Sequence, residues 1–305
     1  MSLDIESSSA ATAPPGTLTL PPGELAAKYG LTVSGARPGL GQYVKQLWGR
    51  RHFISSFATA RVSAQYTQAR LGQLWQVLTP LLNAAVYYLI FGLLLGTDRG
   101  VDNYIAFLVT GIFVYTFTQS SVMAGVRAIA GNLGLVRALH FPRASLPIAQ
   151  TLMQLQQLLM SMFVLLTIVL MTGEVPRLSW LLVVPALLLQ SVFNAGLAMV
   201  VARIGSKMTD LAQLMPFILR TWMYTSGVMY SIAHVAAHAP YAVKILLGLN
   251  PAAVYIDLMR FALIDSFTAD QLPPHVWPVA LGWALVMGVG GFVYFWKAEE
   301  RYGRG

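Results

Sequence analysis

The sequence has 305 residues, of which 56% are hydrophobic and 10% are charged, with a mean hydropathy of +0.61. Because soluble domains carry about 25% charged residues, this composition excludes a chain that mostly faces water. The formal net charge of +8 does not indicate nucleic-acid binding, because the basic residues lie between apolar segments, as they do beside a membrane. Cysteine is absent from the sequence, which excludes disulfides and thiolate nucleophiles.

Two segments precede the apolar part of the chain. Residues 1–40 are rich in Ser, Ala, Thr, Pro and Gly and lack the apolar core of a signal peptide, so we predict a flexible cytoplasmic N-terminal tail. Residues 41–70 mix aromatic and basic residues without an apolar stretch long enough to cross a bilayer. This pattern predicts amphipathic helices that lie in the headgroup layer. A solvated helix packed on another surface is the alternative.

Six apolar stretches then reach the length of about 20 residues that a transmembrane helix requires. They lie near residues 75–96, 104–126, 145–171, 180–202, 211–231 and 276–296. The predicted fold is therefore an all-α integral membrane protein with a six-span transmembrane domain at 71–298 and a cytoplasmic C-terminal tail at 299–305.

A further apolar stretch, residues 241–264, is interpreted differently. Asn250-Pro251 divides it into halves that are each too short to cross, and charged residues are interspersed within and just after it, namely Lys244, Asp257, Arg260 and Asp265. We predict a re-entrant helical hairpin on the outer side, between spans 5 and 6. A seventh crossing would also move Lys297, Arg301 and Arg304 to the outer side, against the positive-inside tendency.

Polar side chains recur at helical spacing inside three of the spans. They are Gln76, Thr79, Asn83 and Tyr87 in span 1, Gln213, Phe217, Arg220 and Tyr224 in span 5, and Gln150, Gln154, Gln157 and Ser161 in span 3. Because an amide or guanidinium group that faces lipid is costly, we predict that the first two sets line a hydrated substrate path. Hydrogen bonding between packed helices is the alternative. For span 3, a cavity and a helix contact are favoured equally.

The chain shows no catalytic or metal site of its own. It contains no phosphate-binding loop and no hydrolase or metalloprotease motif, and the pair His234 and His238 has no third ligand nearby. We therefore predict a transport subunit that is not an enzyme and binds no cofactor, so that its energy would come from a separate partner. Residues 131–143 are short, basic and partly apolar, and they are the predicted docking segment for that partner, through Asn132, Arg137, Phe141, Pro142 and Arg143. Residues 203–210 are the weaker candidate, and the alternative is that both segments simply link spans.

Three ordered motifs carry a resemblance to a known family. They are Arg70 to Leu81 at the start of span 1, Asn132 to Pro147 between spans 2 and 3, and Leu249-Asn250-Pro251 followed by Ile256 and Arg260. Over residues 41–302, this order is similar to that of ABC transporter permeases that export polysaccharides and polyol phosphates. The chain departs from the family at Ser226 to Tyr230, where many relatives carry a Ser-Pro pair.

The resemblance implies a type-2 ABC exporter permease of the bacterial cytoplasmic membrane. In this arrangement a homodimer of the chain works with two copies of a separate ATPase subunit, which bind the ATP and Mg. The substrate would be a polyprenyl-diphosphate-linked glycan of the O-antigen, galactan or teichoic-acid class, moved from the cytoplasmic to the outer side. Arg50, Arg51, Arg61 and Arg70 are then predicted to contact the lipid diphosphate, with binding of anionic membrane lipids as the alternative. Two other hypotheses remain: a permease that exports a drug or small amphiphile, and a membrane enzyme or scaffold subunit.

Overall fold

The computed structural model of the chain describes residues 29, 38–65, 71–72, 74–94, 101–139, 141–237 and 240–302. Within these residues the secondary structure is helical and includes no strand, which confirms the prediction of an all-α protein. Most of the predicted N-terminal tail lies outside the described residues, as do Arg70 and His238.

The helices are numbered in chain order. They are α1 (Leu40–Gly49), α2 (Arg51–Gln65), α3 (Leu74–Tyr87), α4 (Tyr104–Val126), α5 (Leu133–Ala138), α6 (Ser145–Met171), α7 (Val183–Gly205), α8 (Leu211–Thr225), α9 (Ile232–Ala237), α10 (Tyr241–Gly248), α11 (Pro251–Leu263) and α12 (Val276–Trp296). A π-helix, Tyr88–Leu94, continues α3, and short 3-10 helices lie at Ala130–Asn132, Leu178–Leu182, Ala269–Gln271 and Glu299–Arg301.

Four helices in the described part of the chain are long and apolar enough to cross a membrane. Three of them, α4, α6 and α12, have the bounds predicted for spans 2, 3 and 6. The fourth is α7 together with the 3-10 turn that precedes it. The helices at the predicted spans 1 and 5, α3 and α8, are shorter, and α8 ends at Thr225 rather than near residue 231. It ends there because Gly227 adopts a positive φ of 64° and turns the chain.

Helix α4 is the centre of the bundle. Most of its residues are buried, and α3, α6, α7, α8 and α11 pack around it. The closest helix pair is α7 with α12, where glycines allow the two backbones to touch. A Cβ atom on Gly196 would lie 2.0 Å from the carbonyl oxygen of Met287, and one on Gly291 would lie 2.3 Å from the carbonyl oxygen of Gly196. This packing therefore depends on the absence of side chains at both positions.

The connections 127–144 and 203–210 and the residues 297–302 lie at one end of the bundle, here called the basic end. A buried apolar cluster there joins Tyr43 of α1 to Ile129, Met199 and Phe295. At the opposite end, here called the hairpin end, Glu174 accepts hydrogen bonds from Asn103 Nδ2 at 2.8 Å and from the backbone N–H of Asp265 at 2.7 Å. Each end of the helix bundle is thus fixed by contacts between segments that are distant in sequence.

Helices α10 and α11 meet at Asn250 with a bend of 65°. The segment contacts α12 where Trp283 Nε1 donates to the carbonyl oxygen of Leu249 at 2.8 Å and where the Tyr255 hydroxyl donates to that of Ala280 at 2.9 Å. Because α12 ends in the basic-end cluster at Phe295, it begins at the hairpin end, where α8 also ends. The chain between α8 and α12 therefore starts and finishes at the same end of the bundle.

Candidate translocation surface

The predicted polar stripe of span 5 lies on the open side of α8. Gln213, Phe217, Arg220 and Tyr224 are all exposed, and Phe217 is 74% exposed. The opposite side of the helix is apolar and packs on α4 through Met215, Leu219 and Met223. The Tyr115 hydroxyl of α4 also donates to the carbonyl oxygen of Leu219. Apolar burial therefore sets the rotation of α8 and turns its polar stripe away from this chain.

The predicted polar stripe of span 1 is also exposed in part. Thr79 and Asn83 are exposed on α3, whereas Ala84 is buried. Tyr87 is half-buried, and its hydroxyl lies 4.0 Å from Sδ of Met223 on α8. Gln76 belongs to α3, but its side chain is not among the parts of the chain that the structure describes.

The two stripes adjoin on one side of the bundle. Helices α3 and α8 both pack on α4, and Tyr87 lies within electrostatic range of Arg220 and Tyr224. The exposed residues of the two stripes form the α3–α8 face, which consists of Thr79, Asn83, Gln213, Phe217, Arg220 and Tyr224. A guanidinium at the centre of a helix in lipid costs about 2.5–3.5 kcal/mol. The face is therefore suited to a protein partner or a hydrated space.

Two residues of the hairpin hold the end of α8 in place. Asn250 accepts a hydrogen bond from Trp222 Nε1 at 2.8 Å and donates to the carbonyl oxygen of Thr225 at 3.0 Å. Arg260 is fully buried and donates to the carbonyl oxygens of Gly227 at 2.9 Å and Val228 at 2.8 Å. The turn after α8, where the chain departs from the Ser-Pro pattern of the family it resembles, is thus fixed by side chains of α11 and its N-cap.

Arg260 also binds the beginning of α4. Its Nε and one terminal nitrogen donate to the carbonyl oxygen of Phe107 at 3.2 Å, and its guanidinium lies 3.3 Å from the centre of the Phe107 ring. Asp257, one turn earlier on α11, forms an ion pair with Arg260, with 3.3 Å between the carboxylate oxygen and the guanidinium nitrogen. In the sequence, Arg260 stands out only as a charge that opposes a crossing, and this role is not evident. The i,i+3 spacing of Asp257 and Arg260 within an apolar helix was the signal that could have revealed a buried pair.

Of the predicted lipid-contact arginines, Arg50 lies between α1 and α2, and Arg51 and Arg61 lie on α2. These three are exposed, and Arg70 lies outside the described residues. Arg51 donates to the carbonyl oxygen of Trp48 at 3.3 Å. Arg61 donates to Oδ1 of Asn132 at 2.7 Å, so one predicted lipid-contact residue is joined directly to one predicted docking residue.

The predicted docking segment is anchored at both ends and exposed in the middle. Asn132 holds Arg61 and also donates to the carbonyl oxygen of Ala128 at 2.8 Å. At the other end Pro142 is buried, and Phe141 contacts the Phe53 ring with centroids 5.7 Å apart. Between these anchors lie the exposed residues Leu133, Gly134, Arg137, Ala138 and Leu139. A partner that bound here would meet apolar and basic side chains together.

Arg143 belongs to a buried network at the basic end. Its backbone N–H donates to Oε1 of Glu299 at 3.0 Å, and its guanidinium donates to the carbonyl oxygen of Glu299. Tyr43 donates its hydroxyl to Oε2 of Glu299 at 2.8 Å and accepts from the N–H of Ala144 at 3.0 Å. Burial raises the pKa of Glu299, and the hydrogen bonds from Arg143 and Tyr43 oppose that rise. The network joins α1, the end of the docking segment and the first residues of the predicted C-terminal tail.

Replacing Tyr43 with phenylalanine tests this network. The substitution leaves the buried N–H of Ala144 and one oxygen of Glu299 without a partner, so we expect the free energy of unfolding to fall by about 1–3 kcal/mol. The matched control is Tyr294→Phe, because Tyr294 is exposed and keeps its ring beneath Arg203 in the variant. Thermal unfolding of the purified protein measures the stability of both variants. Equal melting temperatures for the two variants would contradict the stabilising role of the network.

The chain is similar to known transport proteins. Residues 56–264 match the sequence profile of the family described as ABC-2 type transporter. The O-antigen export system permease protein RfbA of Klebsiella pneumoniae is 26% identical over 242 residues, which cover 79% of this chain and 90% of that protein. A protein of the same name from Myxococcus xanthus is 26% identical over 230 residues, 75% of this chain and 87% of that protein. The polysialic acid transport protein KpsM of Escherichia coli is 21% identical over 218 residues, 71% and 83% of the two chains.

The region that matches the family profile runs from within α2 to the end of α11. It therefore includes the α3–α8 face, the docking segment and the hairpin that holds α8.

Proposed function

The chain belongs to the ABC-2 type transporter family, and from this premise we propose that it is the membrane-spanning subunit of an ATP-driven polysaccharide exporter. The names of its relatives, which refer to O-antigen export and polysialic acid transport, support a polysaccharide as the exported class. The apolar helices and these relatives make it a multi-pass protein of the bacterial inner membrane. The substrate that we propose is a polyprenyl-diphosphate-linked glycan of the O-antigen, galactan or teichoic-acid class.

The single observation that carries the proposal is the α3–α8 face. It places amide, hydroxyl, aromatic and guanidinium groups together on one open side of the bundle. Amides and hydroxyls can exchange hydrogen bonds with a glycan, and exposed rings such as those of Phe217 and Tyr224 can pack on the apolar faces of sugars. Such a surface suits the passage of a hydroxyl-rich chain.

A second copy of the chain would complete this path. One protomer leaves Arg220 and Asn83 open on its own surface, and their exposure to lipid would be unfavourable. In a homodimer with the two α3–α8 faces opposed, these groups would border water and the moving glycan. We propose this arrangement as the conducting form.

The proposed topology has six spans with both termini cytoplasmic. Basic residues at the connections 127–144 and 203–210 share the basic end with Lys297, which supports placing this end in the cytoplasm. The shared location of the end of α8 and the start of α12 supports a re-entrant hairpin over a seventh crossing. The hairpin would then lie on the outer side.

Two copies of a separate ATPase would supply the energy. We propose that each docks on Leu133 to Leu139, the exposed middle of the docking segment. Arg50, Arg51, Arg61 and Arg70 would attract the lipid diphosphate at the same end. The link from Arg61 to Asn132 supports a connection between the lipid-contact helices and the docking segment.

Substitution of Arg220 tests the path itself. We expect Arg220→Leu to lower export at least fivefold, the equivalent of about 1 kcal/mol of lost interaction, without loss of folded protein, because Arg220 contributes little to the buried core. The matched control is Ile218→Leu, an exposed apolar position on the same helix. Export is measured as surface glycan per cell at equal permease expression. Wild-type export by the Arg220 variant would contradict the proposed path.

Depletion of the chain tests the function. We expect long lipid-linked glycan to accumulate on the cytoplasmic side of depleted cells, and an ATPase to co-purify with the tagged permease from membranes. Unchanged glycan distribution together with altered resistance to small amphiphiles would instead support export of a drug or other small amphiphile.

A further inference from the structure

A partly open cavity of about 400 Å³, with both polar and apolar lining, lies between α2, α3, α4 and α6 of the protomer. Its polar lining includes Gln65, Thr79, Ser120, Arg127, Gln154 and Gln157. Ligand pockets typically have volumes of about 300–1,000 Å³, so this space can hold a group of one or two sugar rings. Thr79 also belongs to the α3–α8 face, so the cavity adjoins the proposed path.

Gln154 is the residue that points to a ligand. Its side chain lines the cavity, and the residue is only 9% exposed. Among the residues that the structure describes, none forms a hydrogen bond with its amide. Its amide is accessible from the cavity, where it can exchange hydrogen bonds with a ligand. The buried Gln190 differs, because its Nε2 donates to the carbonyl oxygen of Val114 and to Oγ1 of Thr118 at 3.0 Å each, whereas its Oε1 has no hydrogen-bond partner among the described residues.

The lining selects a particular chemistry. Amides and hydroxyls supply neutral donors and acceptors, and Trp75 and Phe113 supply flat apolar faces, a combination that suits a sugar ring. None of the described lining residues carries a carboxylate, which argues against a cationic ligand. Arg127, the residue that follows α4 at the basic end, supplies a guanidinium suited to phosphate. The cavity thus combines a neutral, hydroxyl-binding interior with an anion-binding group at one end.

We propose that this cavity binds the sugar that adjoins the diphosphate of the lipid-linked substrate, with Arg127 on the phosphate and Gln154 on the sugar hydroxyls. The inference rests on the proposed function, and it adds a binding site within each protomer, separate from the path between protomers. The site would hold the head of the substrate before the glycan reaches the α3–α8 face. The phosphate could also come from an ordinary membrane phospholipid, and the experiment distinguishes these two sources.

The experiment uses the permease–ATPase complex in nanodiscs and two probes. One probe is a short-chain polyprenyl diphosphate that bears a single hexose, and the other is the same lipid diphosphate without sugar. We expect the wild-type complex to bind the hexose probe more tightly. Gln154→Leu is expected to weaken binding of the hexose probe about tenfold, toward that of the sugar-free probe, without a fall in melting temperature, because no hydrogen bond within the described chain is lost.

Gln190→Leu is the matched control. It removes a buried amide that donates two hydrogen bonds to α4, so we expect a lower melting temperature but an unchanged ratio of affinities for the two probes. Equal binding of the two probes by the wild type would overturn the assignment. Wild-type affinity of Gln154→Leu for the hexose probe would also overturn it. Equal displacement of both probes by phosphatidylglycerol would also overturn it, since the cavity would then bind bulk lipid. If depletion leads to glycan accumulation and an ATPase co-purifies, such results refute the cavity site alone and leave the export function intact.

Discussion

The variant Arg260→Met is expected to lose most of its folded, monodisperse protein. The substitution leaves three buried carbonyl oxygens, those of Phe107, Gly227 and Val228, without the donor that they share. It also leaves Asp257 as a buried carboxylate without its cation. Breaking a buried ion pair by removal of one partner costs about 3–5 kcal/mol, which is a large part of the stability of an ordinary domain.

Fluorescence-detected size-exclusion chromatography and thermal unfolding in detergent measure this effect. Arg177→Met is the matched control, because Arg177 lies at the same end of the bundle and pairs with Asp265 at 2.9 Å, but its side chain is 62% exposed. An exposed pair contributes about 0–1 kcal/mol, so little change is expected. The double variant Asp257→Leu with Arg260→Met should recover part of the loss, because it removes the unpaired carboxylate. If Arg260→Met were as stable as Arg177→Met, the central role of this residue would be refuted.

Gly291→Ala is expected to be the second severe variant, although it adds one methyl group. The new Cβ would lie 2.3 Å from the carbonyl oxygen of Gly196 on the neighbouring helix, and backbone atoms cannot move aside as a side chain can. Helices α7 and α12 must then separate along their closest contact. Overpacking of this kind typically costs about 1–3 kcal/mol and occasionally more.

Gly290→Ala is a control one residue away on the same helix. A Cβ there meets no atom within 4 Å. Since glycine in a helix is less favourable than alanine by about 1 kcal/mol, Gly290→Ala is expected to leave stability unchanged or to raise it slightly. Gly291→Ala should therefore lower the melting temperature, whereas Gly290→Ala should leave it unchanged or raise it slightly. A similar shift for both variants would refute the backbone contact between α7 and α12.

The sequence predicted the features that depend on local composition. Apolar length alone placed α4, α6 and α12 at their bounds, and the division at Asn250-Pro251 predicted the bend between α10 and α11. Helical spacing placed Gln213, Phe217, Arg220 and Tyr224 on one side of α8 because polar residues avoid a buried apolar interface. Each of these predictions follows from interactions between residues that are near one another in the sequence.

The features that the sequence did not reveal depend on distant partners. The end of α8 at Thr225 follows from Gly227 and from Arg260, a residue on another helix. The link between Arg61 and Asn132, and that between Tyr43 and Glu299, join segments whose proximity no local pattern encodes. The cavity beside Gln154 was open to two interpretations for the same reason, since spacing shows that polar residues share a side of a helix but not what that side meets.

The contacts of α8 differ between its two halves. Its C-terminal half is joined to the hairpin through the hydrogen bonds of Asn250 with Trp222 and Thr225. Its first turns contact Val122 and Val201 through apolar side chains, and Pro216 leaves the carbonyl oxygen of Ala212 without its usual intrahelical donor. A change in the direction of α8 would therefore be easiest near Pro216, between the half that is joined to the hairpin and the half nearer the docking segment.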